Sequence, residues 1–419
     1  MLATARALGV QFRAHVKTHK TTELTRLQVG ASSRDIRLVV STVTEAEELL
    51  PYLLECKRQG KSISLIYGLP LPPSKLARLG DLATRLGPDC ISVLVDHPEQ
   101  LDMLCELRDS DWPGAIPVFV KIDTGYGRAG IAPGSPQLAS LFDRMEAGAG
   151  RGRTYLAGFY SHMGSSYGVG APAEAIAFLR EEIEGLVAAA RRAPAGLRAE
   201  SRRLILSVGA TPTATAAQNL LREDPETRQV RRCVEETKEA FEVELHAGVY
   251  PLLDMQQLAT RARPASCEDA RGVPWLSSAN IGLRMLVEVA SLYPERDGPE
   301  ALIAAGSLVL GREPCKSYPG WGVVTPWRED GKGGAEAGPV YSEERPTGWI
   351  VGRVSQEHGI LTWEGPRDEM RGLRIGEKLM VWPNYACIAG AGFPWYLVVD
   401  SDSPDPDEIV DVWVRWRGW

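Results

Sequence analysis

The chain has 419 residues, of which 44% are apolar and 24% charged, and its formal net charge is −7. These values are ordinary for a globular protein of two domains, and the acidic balance argues against nucleic acid and anionic membranes as main partners. Apolar runs stay below the ~20 residues that a membrane span needs. Seven scattered cysteines without a CxxC motif are typical of free thiols in a reducing compartment, so we expect a cytoplasmic protein.

Eight short apolar runs in the first part of the chain predict β-strands. They are rich in Val, Ile, Leu and aromatic residues, and most alternate with helix-like segments. Eight repeated strand–helix units favour an α/β fold built on a closed (β/α)₈ barrel, whose active site lies at the carboxyl ends of the strands. The predicted strands are Gln11–Val16, Ile36–Ser41, Ile63–Tyr67, Ile91–Val95, Ile116–Ile122, Tyr155–Ser161, Leu204–Val208 and Phe241–His246.

Helices are predicted between these strands. Thr44 opens one with capping-box spacing, and His97 followed by Pro98 opens another that runs to about Arg108. A long Ala-, Glu- and Arg-rich helix is predicted over Ala173–Arg192. Before the first strand, residues 1–10 fit the end of a helix that stops at Gly9; the alternative is the start of a transit peptide.

The composition changes near residue 265, where long amphipathic helices become scarce. We therefore predict a barrel domain over residues 1–265 and a mostly β second domain over residues 276–419. Polar stretches at 262–274 and 328–346 are predicted to be surface loops. The strands predicted in the second domain are Ala301–Gly311, Thr347–Val354, Lys378–Pro383 and Tyr396–Asp400.

A cationic cluster, RAHVKTHK at 13–20, follows the first predicted strand. Lys17 is flanked by two histidines and a second lysine, and cationic neighbours in a partly dry pocket lower a lysine pKa. A lysine of this kind forms a Schiff base readily with an aldehyde cofactor. A basic surface turn is the alternative, but the position at the carboxyl end of a strand favours a functional lysine.

Two turns of small residues follow the seventh and eighth strands, SVGATPT at 207–213 and ELHAGVY at 244–250. Small residues expose backbone N–H groups, and the first turn leads into a helix whose dipole favours an anion. Loops after strands seven and eight are the usual phosphate site of such barrels. The alternative is a pair of ordinary strand–helix turns.

Two further polar loops follow strands five and six. The loop KIDTGYGRAG at 121–130 supplies Asp123 and Arg128, which either bind a ligand or pair to hold the loop. His162 follows the sixth strand, and taken alone it is equally typical of a satisfied core histidine. In the second domain, PNYAC at 383–387 and QEHG at 356–359 carry candidate chemistry, although each alone is typical of a turn.

These motifs together resemble the D-serine dehydratase / D-threonine aldolase family, which are fold-type III pyridoxal-phosphate enzymes related to alanine racemase. The resemblance extends over nearly the whole chain, and the eukaryotic D-serine dehydratase branch is the most similar. The motifs that carry it are RAHVKTHKT, STVTEAEEL, LIYGLP, VDHPEQL, VFVKIDTGYGRAGI, GFYSHMGSSY, LSVGATPTA, ELHAGVYPLLDMQQ, SQEHGIL, PNYAC and WVRWRGW.

The resemblance implies roles for the residues already singled out. Lys17 should bind pyridoxal phosphate covalently, His162 should lie against its pyridine ring, and Arg128 should approach its phenolic oxygen. The phosphate should be held by Ser207, Gly209, Thr211, Gly248 and Tyr250. The family fold is a barrel followed by a β domain, and its active site forms between two subunits, which implies a homodimer.

The chain departs from the family pattern at two positions. The family's zinc ligands form a His-x-Cys pair in a PNHxC motif, whereas this chain has Tyr385 at the histidine position and keeps only Cys387. A phenol with a pKa near ~10 is a poor zinc ligand beside imidazole. The usual GYHRAG is also changed, with Gly127 in place of histidine. Relatives have a strand upstream of residue 1, so a truncated gene product is one expectation.

The expected activity is dehydration of D-serine to pyruvate and ammonia, with Lys17 taking the α-proton and the cofactor accepting electrons. A metal would polarise the leaving hydroxyl; Tyr385 could instead protonate it. Two alternatives stay open, namely aldol cleavage of D-threonine-like substrates and a pyridoxal-phosphate-binding pseudoenzyme that has lost its metal site.

Overall fold

The computed structural model describes residues 1–149, 152–197, 202–222, 225–263, 276–327 and 341–419. It divides into two compact units, the first formed by Met1–Gly248 with Trp416–Trp419 and the second by Val249–Arg415. The boundary predicted from the sequence, between 265 and 276, lies within the second unit, and residues 264–275 are outside the described residues. None of the described helices is both long enough and apolar enough to cross a bilayer.

The first unit is a closed barrel of eight parallel strands in the order β1 to β8, and the predicted fold class is confirmed. All eight predicted strands are present within a few residues of their predicted bounds. Its elements are α1 (Leu2–Leu8), β1 (Gln11–His15), α2 (Thr22–Val29), β2 (Asp35–Val40), α3 (Val43–Arg58), β3 (Ser62–Pro70), α4 (Leu76–Leu86), β4 (Ile91–Val95), α5 (Pro98–Glu106), β5 (Ile116–Lys121), α6 (Pro136–Ala149), β6 (Thr154–Tyr160), α7 (Pro172–Arg191), β7 (Ile205–Val208), α8 (Thr211–Ala216), α9 (Pro225–Ala240) and β8 (Glu242–Ala247).

Local sequence signals explain several helix ends. Gly9 ends α1 in the left-handed conformation with φ +62°. His97 caps α5, its side chain accepting from the Glu99 N–H while the Gln100 side chain accepts from the His97 N–H. The helix α3 begins earlier than predicted, because Thr42 rather than Thr44 is its N-cap and accepts from the Glu45 N–H at 3.2 Å.

The interior of the eight-stranded barrel is apolar on one side and polar on the other. Strands β2 to β6 contribute a buried apolar cluster, consisting of Val39, Ile66, Leu94, Phe119 and Tyr160. Strands β7, β8 and β1 contribute buried polar side chains, Ser207, Glu244, His246 and Arg13. A charged side chain is tolerated in a barrel interior when it is paired and hydrogen-bonded. Arg13 and Glu244 therefore need partners inside the barrel.

The second unit contains a closed six-stranded antiparallel barrel in the order β10-β13-β12-β11-β14-β9, and a separate hairpin of β15 and β16. Its core is built from alternate strand residues such as Val289, Ile303, Val351, Leu361 and Val381, each buried. The elements are α10 (Met255–Ala259), β9 (Met285–Tyr293), β10 (Glu300–Ile303), α11 (Ser307–Leu310), β11 (Gly322–Pro326), β12 (Gly348–Val354), β13 (Gly359–Glu364), β14 (Lys378–Pro383), α12 (Ala386–Ala389), β15 (Trp395–Val399) and β16 (Ile409–Val414).

The strand predicted over Ala301–Gly311 is wrong in its second half. The strand β10 ends at Ile303, and residues Ser307–Leu310 form the short helix α11. The chain turns at Gly306, where a Cβ atom would lie 2.3 Å from the Ser355 carbonyl oxygen. A short apolar run fits a strand or a buried helix equally well, which is why periodicity did not separate them.

Candidate active site at the carboxyl ends of the barrel strands

Lys17 lies in the turn between β1 and α2, half-buried, at the end of the barrel where the predicted site residues converge. The far end of this turn is fixed, because Lys20 adopts a left-handed φ of 51° and its carbonyl accepts from the Trp416 N–H at 2.8 Å. The Lys20 ammonium group lies 3.0 Å from the Glu45 carboxylate. The turn that carries Lys17 is therefore held by both backbone and side-chain contacts.

His15, two residues before Lys17, is buried and faces the same turn. Its Nδ1 accepts from the Lys17 N–H at 3.4 Å, so its Nε2 carries the hydrogen and lies 3.3 Å from Ser41 Oγ. Burial lowers the His15 pKa well below 6.5, and the Lys17 charge lowers it further. His15 is therefore neutral at pH 7 and adds no charge beside Lys17.

His19 has a structural role within the same segment. It is fully buried, and its Nδ1 accepts from the Thr21 N–H at 3.1 Å. Its Nε2 therefore carries the hydrogen and donates to Gln28 Oε1 at 2.8 Å. Both ring nitrogens are engaged in holding the start of α2, so this histidine is not available to a ligand.

The turns after β7 and β8 meet the Lys17 turn at small residues. A Cβ atom at Gly248 would lie 3.3 Å from His15 Cβ and 3.6 Å from Thr18 Oγ1, and the Gly248 N–H donates to Thr211 Oγ1 at 3.4 Å. Gly209 has a φ of +147°, and a Cβ atom there would lie 2.1 Å from the His246 carbonyl oxygen. These contacts bring the predicted phosphate residues Gly209, Thr211 and Gly248 beside the turn of Lys17.

His162 follows β6 and is half-buried. Its Nδ1 lies 3.1 Å from the Gly209 carbonyl oxygen, which can only accept, so Nδ1 carries the hydrogen and Nε2 is the acceptor nitrogen. Burial lowers the pKa of His162 well below 6.5, and the charges of Lys17 and Arg128 lower it further. The structure thus brings a neutral imidazole next to the Lys17 and Gly209 turns.

Ser207 is committed to a hydrogen-bond network inside the barrel. Its hydroxyl donates to Glu244 Oε1 at 2.8 Å and lies 3.0 Å from His246 Nδ1, which must then be the protonated nitrogen. The same carboxylate accepts from Arg13 Nε at 2.6 Å. The role predicted for Ser207 in phosphate binding stays a prediction, since its hydroxyl already has two partners.

Glu244 and His246 have opposite electrostatic surroundings in this network. Burial raises the pKa of Glu244, but Arg13 and Arg37 outweigh it and hold the value at about 2. Burial lowers the pKa of His246 to about 3, against the opposing charge of Glu244. His246 is therefore neutral and stacks on Tyr160 with ring centroids 4.1 Å apart, and its Nε2 has no hydrogen-bond partner among the described residues.

The glycine-rich loop after β5 is organised by Asp123. One carboxylate accepts from the backbone N–H groups of Gly125, Tyr126 and Gly127 at 3.0–3.1 Å. Arg128 is exposed, with its guanidinium 5.5 Å from the centre of the Tyr126 ring. Its contact with a phenolic oxygen stays a prediction.

Two buried charged residues near this site were missed from the sequence. Lys121 ends β5 with its ammonium 5.4 Å from the Tyr160 ring centre, and burial lowers its pKa to about 8. Glu182 is fully buried in the middle of α7. The motif around Lys121 offered a signal for the lysine, whereas Glu182 lies in an ordinary amphipathic helix and offered none.

Tyr385 and Cys387, predicted from the sequence, lie in one turn of the second unit. Tyr385 and Cys387 are both half-buried at the start of α12, and the Ala386 N–H donates to Asp254 Oδ2 at 2.9 Å. Asn384 Nδ2 donates to the carbonyl oxygens of Glu313 and Gly320 at 2.9 and 2.7 Å. Tyr250, the remaining predicted phosphate residue, belongs to this unit and is half-buried.

The described residues do not form a set that fits zinc. No three His, Cys, Asp or Glu side chains cluster as metal ligands in the part of the chain that the structure describes. His358 is exposed on the turn between β12 and β13. Cys387 is the only strong ligand in the PNYAC turn, so we assign no chemistry to zinc here.

Two protein-family models match this chain. The alanine racemase N-terminal domain model matches residues 2–228, and the serine dehydratase domain model matches residues 282–399. The D-serine dehydratase of Schizosaccharomyces pombe is 35% identical over 423 residues, which cover 100% of this chain and 88% of the relative. This chain belongs to the D-serine dehydratase family. The resemblance seen in the sequence motifs is confirmed.

Solved structures support the same assignment for this family member. D-threo-3-hydroxyaspartate dehydratase from Delftia sp. HT23 has a TM-score of 0.71 and is 25% identical, with 100% of this chain and 93% of that chain covered. A variant of that enzyme with a cysteine replaced by alanine, solved in the metal-free form, has a TM-score of 0.70 at 25% identity and the same coverage of both chains. Membership of the family implies pyridoxal phosphate as cofactor.

The residues at the barrel end fit pyridoxal phosphate. Lys17 is an amine for its aldehyde, and the turns at Gly209 and Gly248 are narrow enough that a Cβ atom would meet the backbone of residue 246 or 15. The charges of Lys17, Lys121 and Arg128 act together on His162, so an anionic group here would be stabilised. Neutral His15 and His162 avoid further repulsion between cations.

Proposed function

We propose that this protein is a pyridoxal-phosphate-dependent lyase that converts D-serine to pyruvate and ammonia. The observation that carries the proposal is the position of Lys17, at the end of β1 and beside the turns of Gly209 and Gly248. The 35% identity to a D-serine dehydratase over the whole chain supports D-serine as the substrate.

When bound, pyridoxal phosphate supplies an aldehyde for the substrate amine and a ring that stabilises negative charge at the α-carbon. Lys17 would hold the cofactor through its aldehyde, and Lys17 Nζ would accept the α-proton of the substrate. His162, with Nδ1 bound to the Gly209 carbonyl, presents its acceptor nitrogen without a charge. The turns at Gly209 and Gly248 would hold the phosphate at the amino-terminal end of α8.

Tyr385 is proposed as the proton donor to the leaving hydroxyl, because its phenol stands where the family has a zinc-binding imidazole. A neutral phenol can donate a proton, whereas it binds zinc weakly. Replacement of Tyr385 by Phe tests this role, since it removes the hydroxyl and keeps the ring. Unchanged pyruvate release in that variant would exclude Tyr385 as the donor.

The activity is tested by following pyruvate release with lactate dehydrogenase and NADH, using pyridoxal-phosphate-loaded protein with and without added zinc. We expect turnover of D-serine and none of L-serine. Release of glycine and an aldehyde from D-threonine, without pyruvate from D-serine, would favour the aldolase alternative. Cofactor binding without turnover of any D-amino acid would favour the pseudoenzyme alternative, for which the change at Tyr385 is the supporting observation.

We also propose that the protein is a homodimer. In the hairpin of β15 and β16, the cross-strand pairs Trp395–Val414 and Leu397–Val412 bring four apolar side chains to one face, each between 48% and 65% exposed. An apolar face of this kind is typical of an interaction surface. Light scattering should give the mass of two chains, and a Leu397→Glu and Val412→Glu double variant should reduce it to one. A wild-type mass of one chain would refute the proposal.

We propose a cytoplasmic location on the strength of the cysteines. Among the described residues, the cysteines at positions 56, 90, 233 and 315 are free thiols. Free thiols persist in a reducing compartment. Cell fractionation tests the location, and recovery of the protein in an organelle fraction would contradict it.

A further inference from the structure

A single buried carboxylate holds two loops of the candidate site. Glu182, in the middle of α7, is fully buried, and its Oε1 accepts from Ser161 Oγ at 2.8 Å and from the Met163 N–H at 2.9 Å. The same oxygen accepts from the Gly209 N–H at 3.3 Å, and Oε2 accepts from Thr213 Oγ1 at 2.8 Å. Both oxygens of the carboxylate are therefore engaged.

Three of the four donors belong to the loops that follow β6 and β7, and the fourth, Thr213, lies in the first turn of α8. Ser161 and Met163 flank His162 in the first loop, and Gly209 and Thr213 flank the predicted phosphate turn in the second. The loops are also joined directly, since His162 Nδ1 donates to the Gly209 carbonyl oxygen at 3.1 Å. Glu182 thus fixes both ends of the backbone around that hydrogen bond.

The buried donors around Glu182 need a hydrogen-bond acceptor at this position. Without the carboxylate, the Met163 and Gly209 N–H groups and the Ser161 hydroxyl would be buried donors lacking this acceptor, which is costly. Burial raises the pKa of Glu182, and the hydrogen bonds from Ser161, Thr213 and Gly209 oppose that rise. Lys121, also buried nearby, opposes it electrostatically.

We propose that Glu182 is a positioning residue of the cofactor site, which sets the His162 imidazole against the Gly209 turn. It does not touch the reacting atoms, and it acts through the backbone of the two loops. The inference rests on the proposed function, because these loops are the ones assigned to pyridoxal phosphate.

Three variants separate this role from a general contribution to stability. Glu182→Met keeps the approximate volume and removes both acceptors. Glu182→Gln keeps an acceptor at the Oε1 position, and its amide can donate to Thr213 Oγ1, which then donates to the Ala210 carbonyl at 3.2 Å. Leu186→Ala is the matched control, since Leu186 is fully buried one turn further along α7 and its side chain has no polar atom that could hydrogen-bond either loop.

Two measurements are made on each variant, hydrogen exchange by mass spectrometry and the Kd of pyridoxal phosphate by fluorescence titration. In Glu182→Met we expect faster exchange in peptides covering 159–165 and 206–214 and a Kd raised at least about tenfold. We expect Glu182→Gln to restore exchange protection and to bring the Kd within about threefold of wild type. Leu186→Ala should lower the midpoint of thermal unfolding and leave the Kd within about twofold.

Unchanged exchange and an unchanged Kd in Glu182→Met would overturn the positioning role. Equal losses of cofactor affinity in Glu182→Met and Leu186→Ala would also overturn it, because they would show a general loss of stability. A wild-type protein that binds pyridoxal phosphate but releases no pyruvate from D-serine would refute the proposed function and leave the result for Glu182 intact.

Discussion

The carboxyl end of the eight-stranded barrel and the PNYAC turn of the second unit differ in what each has kept. At the barrel end, Lys17, His15, His162 and the glycine turns are joined by hydrogen bonds and close backbone contacts. The PNYAC turn is equally well hydrogen-bonded. Asp254 Oδ2 accepts from the Ala386 N–H at 2.9 Å, and Asn384 Nδ2 donates to the Gly320 carbonyl oxygen at 2.7 Å. The turn differs at one side chain, Tyr385, from the motif that the sequence resemblance implies. The comparison teaches that a turn can be fully hydrogen-bonded although the described residues around it form no set of side chains that fits zinc.

The largest expected effect is loss of Lys17. Lys17→Ala should abolish covalent attachment of pyridoxal phosphate and reduce pyruvate release by about 10³-fold or more, because Lys17 both holds the cofactor and moves the α-proton. Borohydride reduction followed by peptide mapping locates the adduct. Lys121 is the rival, since burial lowers its pKa to about 8. An adduct on Lys121 in the wild type, or its loss in Lys121→Met alone, would reverse the assignment.

The next effect concerns acid stability of the barrel interior. Burial raises the pKa of Glu244, but Arg13 and Arg37 hold it at about 2 against an ordinary value of 4.5. The lowered pKa stabilises the fold above pH 4.5, and about 3 kcal/mol of stability should be lost as the pH falls towards 2. The slope of the free energy of unfolding against pH, between pH 4.5 and 2, should be missing in Glu244→Gln.

Unfolding by urea at several pH values measures the slope. Glu242→Gln is the matched control, because Glu242 also pairs with Arg37 but has one-third of its side chain exposed. We expect the control to keep the wild-type slope between pH 4.5 and 2. An equal loss of slope in both variants would show that Glu244 is not the group responsible.

Replacement of Tyr385 by histidine tests the difference between the barrel end and the PNYAC turn most directly. Because the turn is already built, Tyr385→His should raise zinc affinity by about 100-fold, or roughly 3 kcal/mol, and should raise dehydratase activity with it. Wild-type protein should hold weak or substoichiometric zinc. Metal analysis and pyruvate release are measured on protein prepared identically. Tyr385→Phe is the control, because phenylalanine supplies no metal ligand at this position.

Stoichiometric zinc in the wild type, removed by Cys387→Ala, would contradict this account of the metal motif. It would show that another residue supplies the missing ligand, with His358 the first to test. The pyridoxal-phosphate end of the barrel would be unaffected by that outcome.

The smallest effect separates the two glycine turns. Gly248→Ala should weaken pyridoxal phosphate binding by about tenfold, because the added Cβ would narrow the turn assigned to the phosphate. The loss of thermal stability should be small, because the contact of this Cβ with His15 Cβ, at 3.3 Å, is relieved by a small shift. Gly209→Ala should reduce stability as well, because its Cβ would lie 2.1 Å from the His246 carbonyl oxygen. Fluorescence titration and thermal melting give both quantities. Unchanged cofactor affinity in both variants would make these turns merely structural.

The barrel was predictable because each of its strands is a compact apolar run followed by a polar cluster. The second unit was harder, since strands such as β9 alternate buried and exposed residues and include the charged Glu288. The strands β9, β11, β13 and β16 were missed for lack of a continuous apolar signal. The closed antiparallel barrel depends on pairings that local pattern does not encode.

The candidate site was predictable in position and less so in its chemistry. Within 13–20, the sequence singles out Lys17 but does not separate the roles of His15 and His19. The structure commits His19 to α2 and makes His15 neutral. The role of Glu182 could not be predicted from the sequence, because its hydrogen-bond partners lie between 19 and 31 residues away along the chain. Contacts of this range are set by packing rather than by local sequence.

The hydrogen bond from the Trp416 N–H to the Lys20 carbonyl has a consequence for biosynthesis. The Lys20 carbonyl is synthesised 396 residues before the Trp416 N–H that donates to it, since 416 − 20 is 396. Domains generally fold as units during synthesis, with the amino-terminal one first. In this barrel one contact of the Lys17 turn can therefore form only after the chain of the second unit has been made.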